Sequence, residues 1–500
     1  MSAPQRLVLF LGGALGLLMA VGAPGWFGGA DEGTHAMRAL AMAHGHLLPT
    51  EIDGVLTSTV PSAQSDSVGM VIRHAASSTA PNSPELLGNL LAVSPSWDET
   101  RGFDTGATMA ASPVAYAPSA LFMAVPNLLD APPILTLWFG RLGDLVVYLA
   151  LAVVAVGLAG AFRWTLALTA LFPMNLAMAA SVSPDAVTIG SLLLVLALWT
   201  RVWRDTGAVG AAAEEVTGGA TADTTGEPAV EGSSVAPLWR LAAMVGGAGL
   251  LLALAKPPYF AVLAAFPALL LVRRRQVRVR VAAAAATAAL GVGVAASVFS
   301  TSNDYRSAGA GMFAELRFQP DVQLRRITDA PLSFLGRCIG RWFEAVPDSV
   351  QRWTRQLGFW RSDLPPLLAW TIVIGSVVVA MILDAEDLLH LRRFCRAIFA
   401  VGTAAILLAL MTSSYVYFDD TVDGVHMTEQ IGRYSVPLFA MGIMGWAPRW
   451  PLRLGGAELL RSARARQVMV GAMGVAITVC VVAVLVQWWW PGVAGPFTGY

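Results

Sequence analysis

Charge is what this chain has least of. Only 13% of its 500 residues are Asp, Glu, Lys or Arg, about half the usual share, and 33 basic residues cancel 33 acidic ones. A charge-poor, neutral chain carries no footprint for nucleic acid, and none is expected as a partner. Cysteine is equally scarce. Cys338, Cys395 and Cys480 are far apart, with no CxxC pair or Cys/His cluster, which excludes a disulfide framework and a structural zinc site. Lys256 is the only lysine; every other cation is arginine, a bias of the kind a GC-rich genome produces. Apolar residues fill the space. At 56% hydrophobic, with a mean hydropathy of +0.61, the composition excludes a soluble enzyme and defines a multi-pass membrane protein.

Gln5 to Ala23 is an apolar run behind the single basic Arg6. It lacks a small-residue cleavage pattern near Pro24 to Trp26 and reads as an uncleaved first span with its N-terminus in the cytoplasm. Further apolar segments fall at about 115–129, 134–160, 164–182, 185–203, 239–255, 257–272, 281–300, 366–383, 397–417, 434–447 and 467–487. Each approaches the roughly 20 residues that a spanning helix needs, although 115–129 and 434–447 are short. Arginine clusters at Arg201/Arg204, Arg273–Arg280, Arg392–Arg396 and Arg453–Arg466 mark the cytoplasmic side. Keeping them all inside requires 115–129, with its prolines, to be re-entrant or interfacial. The expected fold is all-α and integral to the membrane: one domain over 1–500, a polytopic bundle of about 11–12 transmembrane helices. Residues 24–114 and 301–365 are expected as large external loops, the second carrying Arg317, Arg325, Arg326, Arg337 and Arg341 either in local salt bridges or as anion contacts. Residues 205–238, rich in Gly, Ala, Thr and Glu, read as a disordered cytoplasmic linker.

Chemistry concentrates at Ala30 to Pro49, ADEGTHAMRALAMAHGHLLP. Asp31 is a candidate N-cap, and Glu32 to His44 reads as one short helix at the membrane surface, stopped by Gly45 with Pro49 beyond. Asp31 and His35 are four apart and Glu32 and His35 three apart, so all three share a face. A carboxylate there can serve as a base on a substrate hydroxyl, or simply cap the helix. Asp31, His35, His44 and His46 offer donors for a divalent ion, but the last two lie three to four turns from Asp31, and no metal ligands are assigned.

Farther along come Tyr116-Ala117-Pro118, the Phe139 to Leu142 run FGRL, SVSPDA (Ser181 to Ala186), LAKPPY (Leu254 to Tyr259), LGFW followed by LP (Leu357 to Pro365) and QIGRYSVP (Gln430 to Pro437). With PxxxxxxDExxHxxRAxxxAxG from Pro24 to Gly45, this ordered set covers nearly the whole chain. It resembles the multi-pass membrane family known as domain-of-unknown-function 2142, and more distantly the GT-C superfamily of polyprenyl-phosphate-dependent glycosyltransferases. Where the family commonly has glycine after the glutamine, this chain has Ile431.

The resemblance implies a GT-C-like bundle in a bacterial cytoplasmic (inner) membrane, with a catalytic carboxylate on the first external loop. Asp31 and Glu32 are the implied catalytic pair. His35, Arg38, Tyr116, Arg141, Asp185, Lys256, Gln430, Arg433 and Tyr434 are the candidate substrate-binding residues. The implied partners are a polyprenyl-phosphate sugar donor, membrane lipid and a glycan or glycolipid acceptor; a divalent metal ion is the one cofactor weighed. Each candidate also has a plainer role. Arg141 can pair with Asp144 on its own helix, Asp185 can cap the span it begins, and Arg433 with Tyr434 can anchor an interface. A transporter or lipid-linked sugar flippase would share this composition, yet the chain shows no internal repeat. A non-catalytic scaffold would leave the acidic pair dispensable.

Overall fold

The computed structural model describes residues 1–26, 31–52, 55–77, 80–95, 100–105, 108, 111–218, 237–308, 320–355, 357, 364–418, 431–449 and 462–490. The protein is an all-α polytopic membrane protein. Among the described residues, eight helices are long and apolar enough to cross a membrane: Ala3–Gly22, Pro133–Leu158, Asp185–Asp205, Leu238–Ala255, Val277–Phe299, Pro366–Leu383, Arg393–Val416 and Ala463–Trp489. Many of their large apolar side chains face outward, Phe10, Leu17, Val298, Val401 and Val475 among them, as a lipid-facing surface requires.

Three further apolar stretches are built as interrupted helices. One begins beside Asp185, through Lys256, and ends where Arg273 donates to the Trp203 carbonyl, 18 residues farther along the same neighbouring helix. A second breaks at Pro173 into Arg163–Leu171 and Pro173–Ala179. The third comprises Ile431–Ser435, a 3-10 turn at Val436–Leu438 and Phe439–Trp446, broken by Pro437. Proline costs a helix a donor and a bond. Carbonyls near the Pro173 break are answered by side chains: Tyr148 Oη donates to Ala170 O and Asn175 Nδ2 to Thr169 O, both at 2.6 Å. Trp199 Nε1 likewise donates to Ala265 O, two residues before Pro267. In an apolar slab such groups have no water to turn to.

Pro113–Leu128, where the arginine parity calls for a re-entrant or interfacial segment, is not among those eight helices. It folds back against the first half of Pro133–Leu158, a Cβ on Gly143 meeting Pro118 O at 2.5 Å and Thr136 donating to Asn127 Oδ1. The preceding segment builds a cap over this end of the bundle. It holds the Glu32–Ala43 helix, a three-stranded antiparallel sheet (Thr50–Ile52, Val55–Pro61, Thr100–Asp104 in spatial order) and helices Ser62–Ser77 and Pro84–Leu91. Trp26, Met37, Leu40, Val60, Val71, Leu90, Tyr116 and Ile134 form its core. Most of the 205–238 linker lies outside the described residues. In the 301–365 segment, helix Pro331–Arg355 carries local pairs, Arg341 with Glu344 and Arg352 with Asp348, in keeping with the salt-bridge reading of such arginines.

One buried pair ties cap to bundle. Arg141 donates from Nε and Nη2 to the two Glu32 oxygens at 2.8 and 2.6 Å, and from Nη1 and Nη2 to the carbonyls of Ala20, Ala23 and Pro24; both side chains are fully buried. The Val182 N–H adds a third bond to Glu32. Arg141 therefore pairs with a residue 109 positions away and not with Asp144, which instead accepts from Ser119 Oγ and the Ser183 N–H. Removing one partner leaves a buried charge uncompensated. Glu32→Gln is expected to cost about 3–5 kcal/mol of stability, read as a lowered thermal midpoint of the detergent-solubilised protein, whereas Asp31→Asn next to it should cost far less.

Candidate functional site

Asp31 sits between a fully buried neighbour and open space. It holds the N-cap position of Glu32–Ala43 in the left-handed region, φ 62°, which Asp tolerates, and its side chain makes no capping bond. The carboxylate turns away from the helix and accepts from Arg433 Nη2 at 2.8 Å. It is 57% accessible although densely surrounded by protein, the mark of a group lining a recess. Burial raises its pKa, but the charge and hydrogen bond of Arg433, helped by Lys256, outweigh that and hold the carboxyl below its ordinary value.

A tyrosine ring organises the cations. Arg433 lies 4.6 Å and Lys256 4.1 Å from the centroid of Tyr434, and Arg433 Nη2 also contacts the Tyr434 hydroxyl at 2.6 Å. Lys256, just past the end of Leu238–Ala255, pairs with Asp185 Oδ1 at 2.8 Å. Asp185 is thus a counterion, and the cap reading fails for its side chain; its own N–H instead donates to Ser183 Oγ. Tyr259 Oη donates to Tyr434 O, and Trp353 Nε1 donates to Ser435 Oγ, fixing the turn that carries Arg433. The cluster holds two carboxylates and two cations, so its charge is balanced.

His35 lines the same recess one helical turn beyond Asp31. Its Nδ1 is 2.7 Å from Tyr116 Oη, and the Tyr116 hydroxyl points at Thr108 O, 3.4 Å away. Which of Nδ1 and the Tyr116 hydroxyl donates is set by the imidazole tautomer. Burial, reinforced by Lys256 and Arg433 and opposed by Asp31 and Asp185, pulls the imidazole down to about 4. His35 is neutral at pH 7.

The sequence-derived candidates thus separate. Asp31, His35, Tyr116, Asp185, Lys256, Arg433 and Tyr434 converge. Glu32 and Arg141 form the structural pair behind them. Arg38 is fully buried, and its Nη2 donates to Leu47 O. Gln430 lies outside the described residues. His44 bonds Leu40 O within its own helix, and no group of three or more His, Cys, Asp or Glu side chains among the described residues is spaced to hold a metal ion. Sequence reasoning missed Tyr259, Trp353 and the Asp144–Ser119–Ser183 contacts. An aromatic directly after Pro257-Pro258 was the available signal for the first.

Between pH 6.5 and about 4 the unfolded chain binds a proton at His35 that the folded chain does not, so stability falls as pH drops through that window. The thermal midpoint of wild type should therefore fall more steeply over this range than that of His35→Gln; parallel curves would contradict a buried neutral imidazole.

A family model described as a predicted membrane protein, domain-of-unknown-function 2142, matches residues 13–222 and 231–441. No curated protein matches. The matched segments span well over half of the chain and contain Asp31, His35, Tyr116, Asp185, Lys256, Arg433 and Tyr434, so the protein belongs to the domain-of-unknown-function 2142 family of membrane proteins.

Proposed function

We propose that this protein is a membrane glycosyltransferase that moves a sugar from a polyprenyl-phosphate donor to a cell-envelope glycan or lipid acceptor. The observation that carries the reading is the recess itself: an ionised, accessible carboxylate beside two cations, at one end of an apolar bundle. The arginine-rich segments gather at the other end, where Gly160 packs on Arg201, Arg273 meets Trp203 and Arg396 meets Ala447. By the positive-inside rule that end is cytoplasmic, so the recess opens toward the outer face of a bacterial cytoplasmic membrane.

The reaction needs a base, a leaving-group cradle and a way to exclude water. Asp31 takes the proton of the acceptor hydroxyl. The hydroxyl oxygen attacks the anomeric carbon from the face opposite the phosphate, the bond from that carbon to the phosphate oxygen breaks, and its electron pair leaves with the polyprenyl phosphate. Arg433 and Lys256 stabilise the phosphate, one through a forked guanidinium and the other as a point charge. The configuration at the anomeric carbon inverts. His35, held in place by the buried Tyr116, is suited to orient the acceptor, and Glu32 and Arg141 hold Asp31 in position without touching substrate. The GT-C resemblance supports the same assignment of Asp31.

Interrupted helices beside a charged recess are also a transporter feature, which makes a lipid-linked sugar flippase the second reading. Labelled-sugar transfer from a panel of polyprenyl-phosphate sugars to envelope acceptors separates the two. Purified wild type should transfer, and Asp31→Asn should lose about a hundredfold or more in kcat. Full activity in Asp31→Asn would overturn the base assignment; transbilayer movement of donor without transfer would favour the flippase.

A further inference from the structure

The two ion pairs that involve the first carboxylates of the cap differ in kind. Glu32 and Arg141 are joined through two nitrogens and are both fully buried. Asp31 and Arg433 meet through a single nitrogen, Nη2, with Asp31 57% accessible. Among the described residues that one nitrogen also makes the only other hydrogen bond of Arg433, to Tyr434. A one-nitrogen contact to an accessible carboxylate is readily exchanged, whereas a bidentate buried one is not. Lys256, by contrast, is held against the buried Asp185.

We propose that Arg433 serves two partners in turn, pairing with Asp31 while the site is empty and with the donor phosphate when the site is loaded, so that donor binding releases the Asp31 carboxylate for the acceptor. The inference rests on the donor reading above. A carboxylate held by a guanidinium is a poor proton acceptor. An arriving phosphate, placed between Arg433 and Lys256 around the Tyr434 ring, competes with Asp31 for the same fork. The donor then binds first, and the base becomes available only when a leaving group is in place. The guanidinium keeps its stacking on Tyr434 in both states, so the exchange needs a small swing of the Arg433 side chain and no movement of the bundle.

Competition of this kind is reciprocal: whatever Asp31 takes from Arg433, it takes from the phosphate. Neutralising the carboxylate must tighten donor binding even as it abolishes chemistry. The test is the affinity of a polyprenyl phosphate for the full-length protein in nanodiscs of lipids without net charge. Wild type, Asp31→Asn, Arg433→Gln, the Asp31→Asn/Arg433→Gln double variant and Asp66→Asn are compared. Asn suits the left-handed backbone at position 31 and no capping bond is lost, so Asp31→Asn retains the fold. Asp66 is an accessible carboxylate paired with Arg101 away from the site and controls for one unit of charge.

Asp31→Asn is expected to bind about tenfold more tightly than wild type. Asp66→Asn should be unchanged, and the double variant should bind no better than Arg433→Gln alone. Equal or weaker binding by Asp31→Asn, with wild type still binding, would overturn the exchange while leaving the donor reading standing. Tightening that persists without Arg433 would also overturn it, since the effect would then be one of net charge. Absence of polyprenyl phosphate binding in wild type and Asp31→Asn alike would remove the donor reading, and the exchange with it.

Discussion

The buried Arg141–Glu32 pair is the interaction on which the rest of the site depends. A guanidinium in an apolar bundle is tolerable only when every donor is used, and Arg141 uses its donors on a carboxylate and three carbonyls at the end of the first span. One side chain thereby joins the Ala3–Gly22 helix, the Pro133–Leu158 helix and the first residue of the Glu32–Ala43 helix, while Glu32 also accepts from Val182. Asp31 is fixed by its neighbour. With Glu32 drawn inward, the left-handed backbone at Asp31 directs the adjacent carboxylate into the recess. Two successive acidic residues thus acquire opposite environments, one wholly enclosed and one accessible.

The same bookkeeping governs the cluster around Tyr434. Lys256 and Arg433 approach one aromatic ring, and each has its own carboxylate, Asp185 and Asp31. Balanced charge lets four ionic groups gather at the end of an apolar bundle, and the interrupted helices bring them there. Lys256 precedes the irregular Tyr259–Arg273 segment, and Arg433 lies on the short helix before the Pro437 turn. Regular spanning helices would satisfy their backbones alone; the breaks recruit Tyr148, Asn175, Trp199 and Tyr259 as donors.

Much of this was legible before any coordinates. Composition gave the membrane class, and cations beside apolar runs pointed to Lys256 and Arg433. Pairing was not legible, because it is decided by distance in space. Asp144, three residues from Arg141, is the local choice, but its oxygens are engaged by Ser119 and Ser183, and the arginine reaches Glu32 instead. Asp185 looked like a cap because its chain position favours one, and only the fold brings Lys256 to it. Hydropathy could not separate whole helices from broken ones, since both are apolar over similar lengths. The prolines at 173, 267 and 437 carried that information.

The central claim is that the recess between Asp31, Lys256 and Arg433 receives the phosphate of a lipid-linked sugar. The most direct measurement is an experimental structure of the protein with a polyprenyl phosphate bound in a lipid nanodisc. The account predicts phosphate oxygens within hydrogen-bond distance of Arg433 and Lys256, the lipid chain leaving between helices toward the membrane, and the Asp31 carboxylate separated from Arg433. A phosphate bound elsewhere, with the Asp31–Arg433 pair intact, would contradict it.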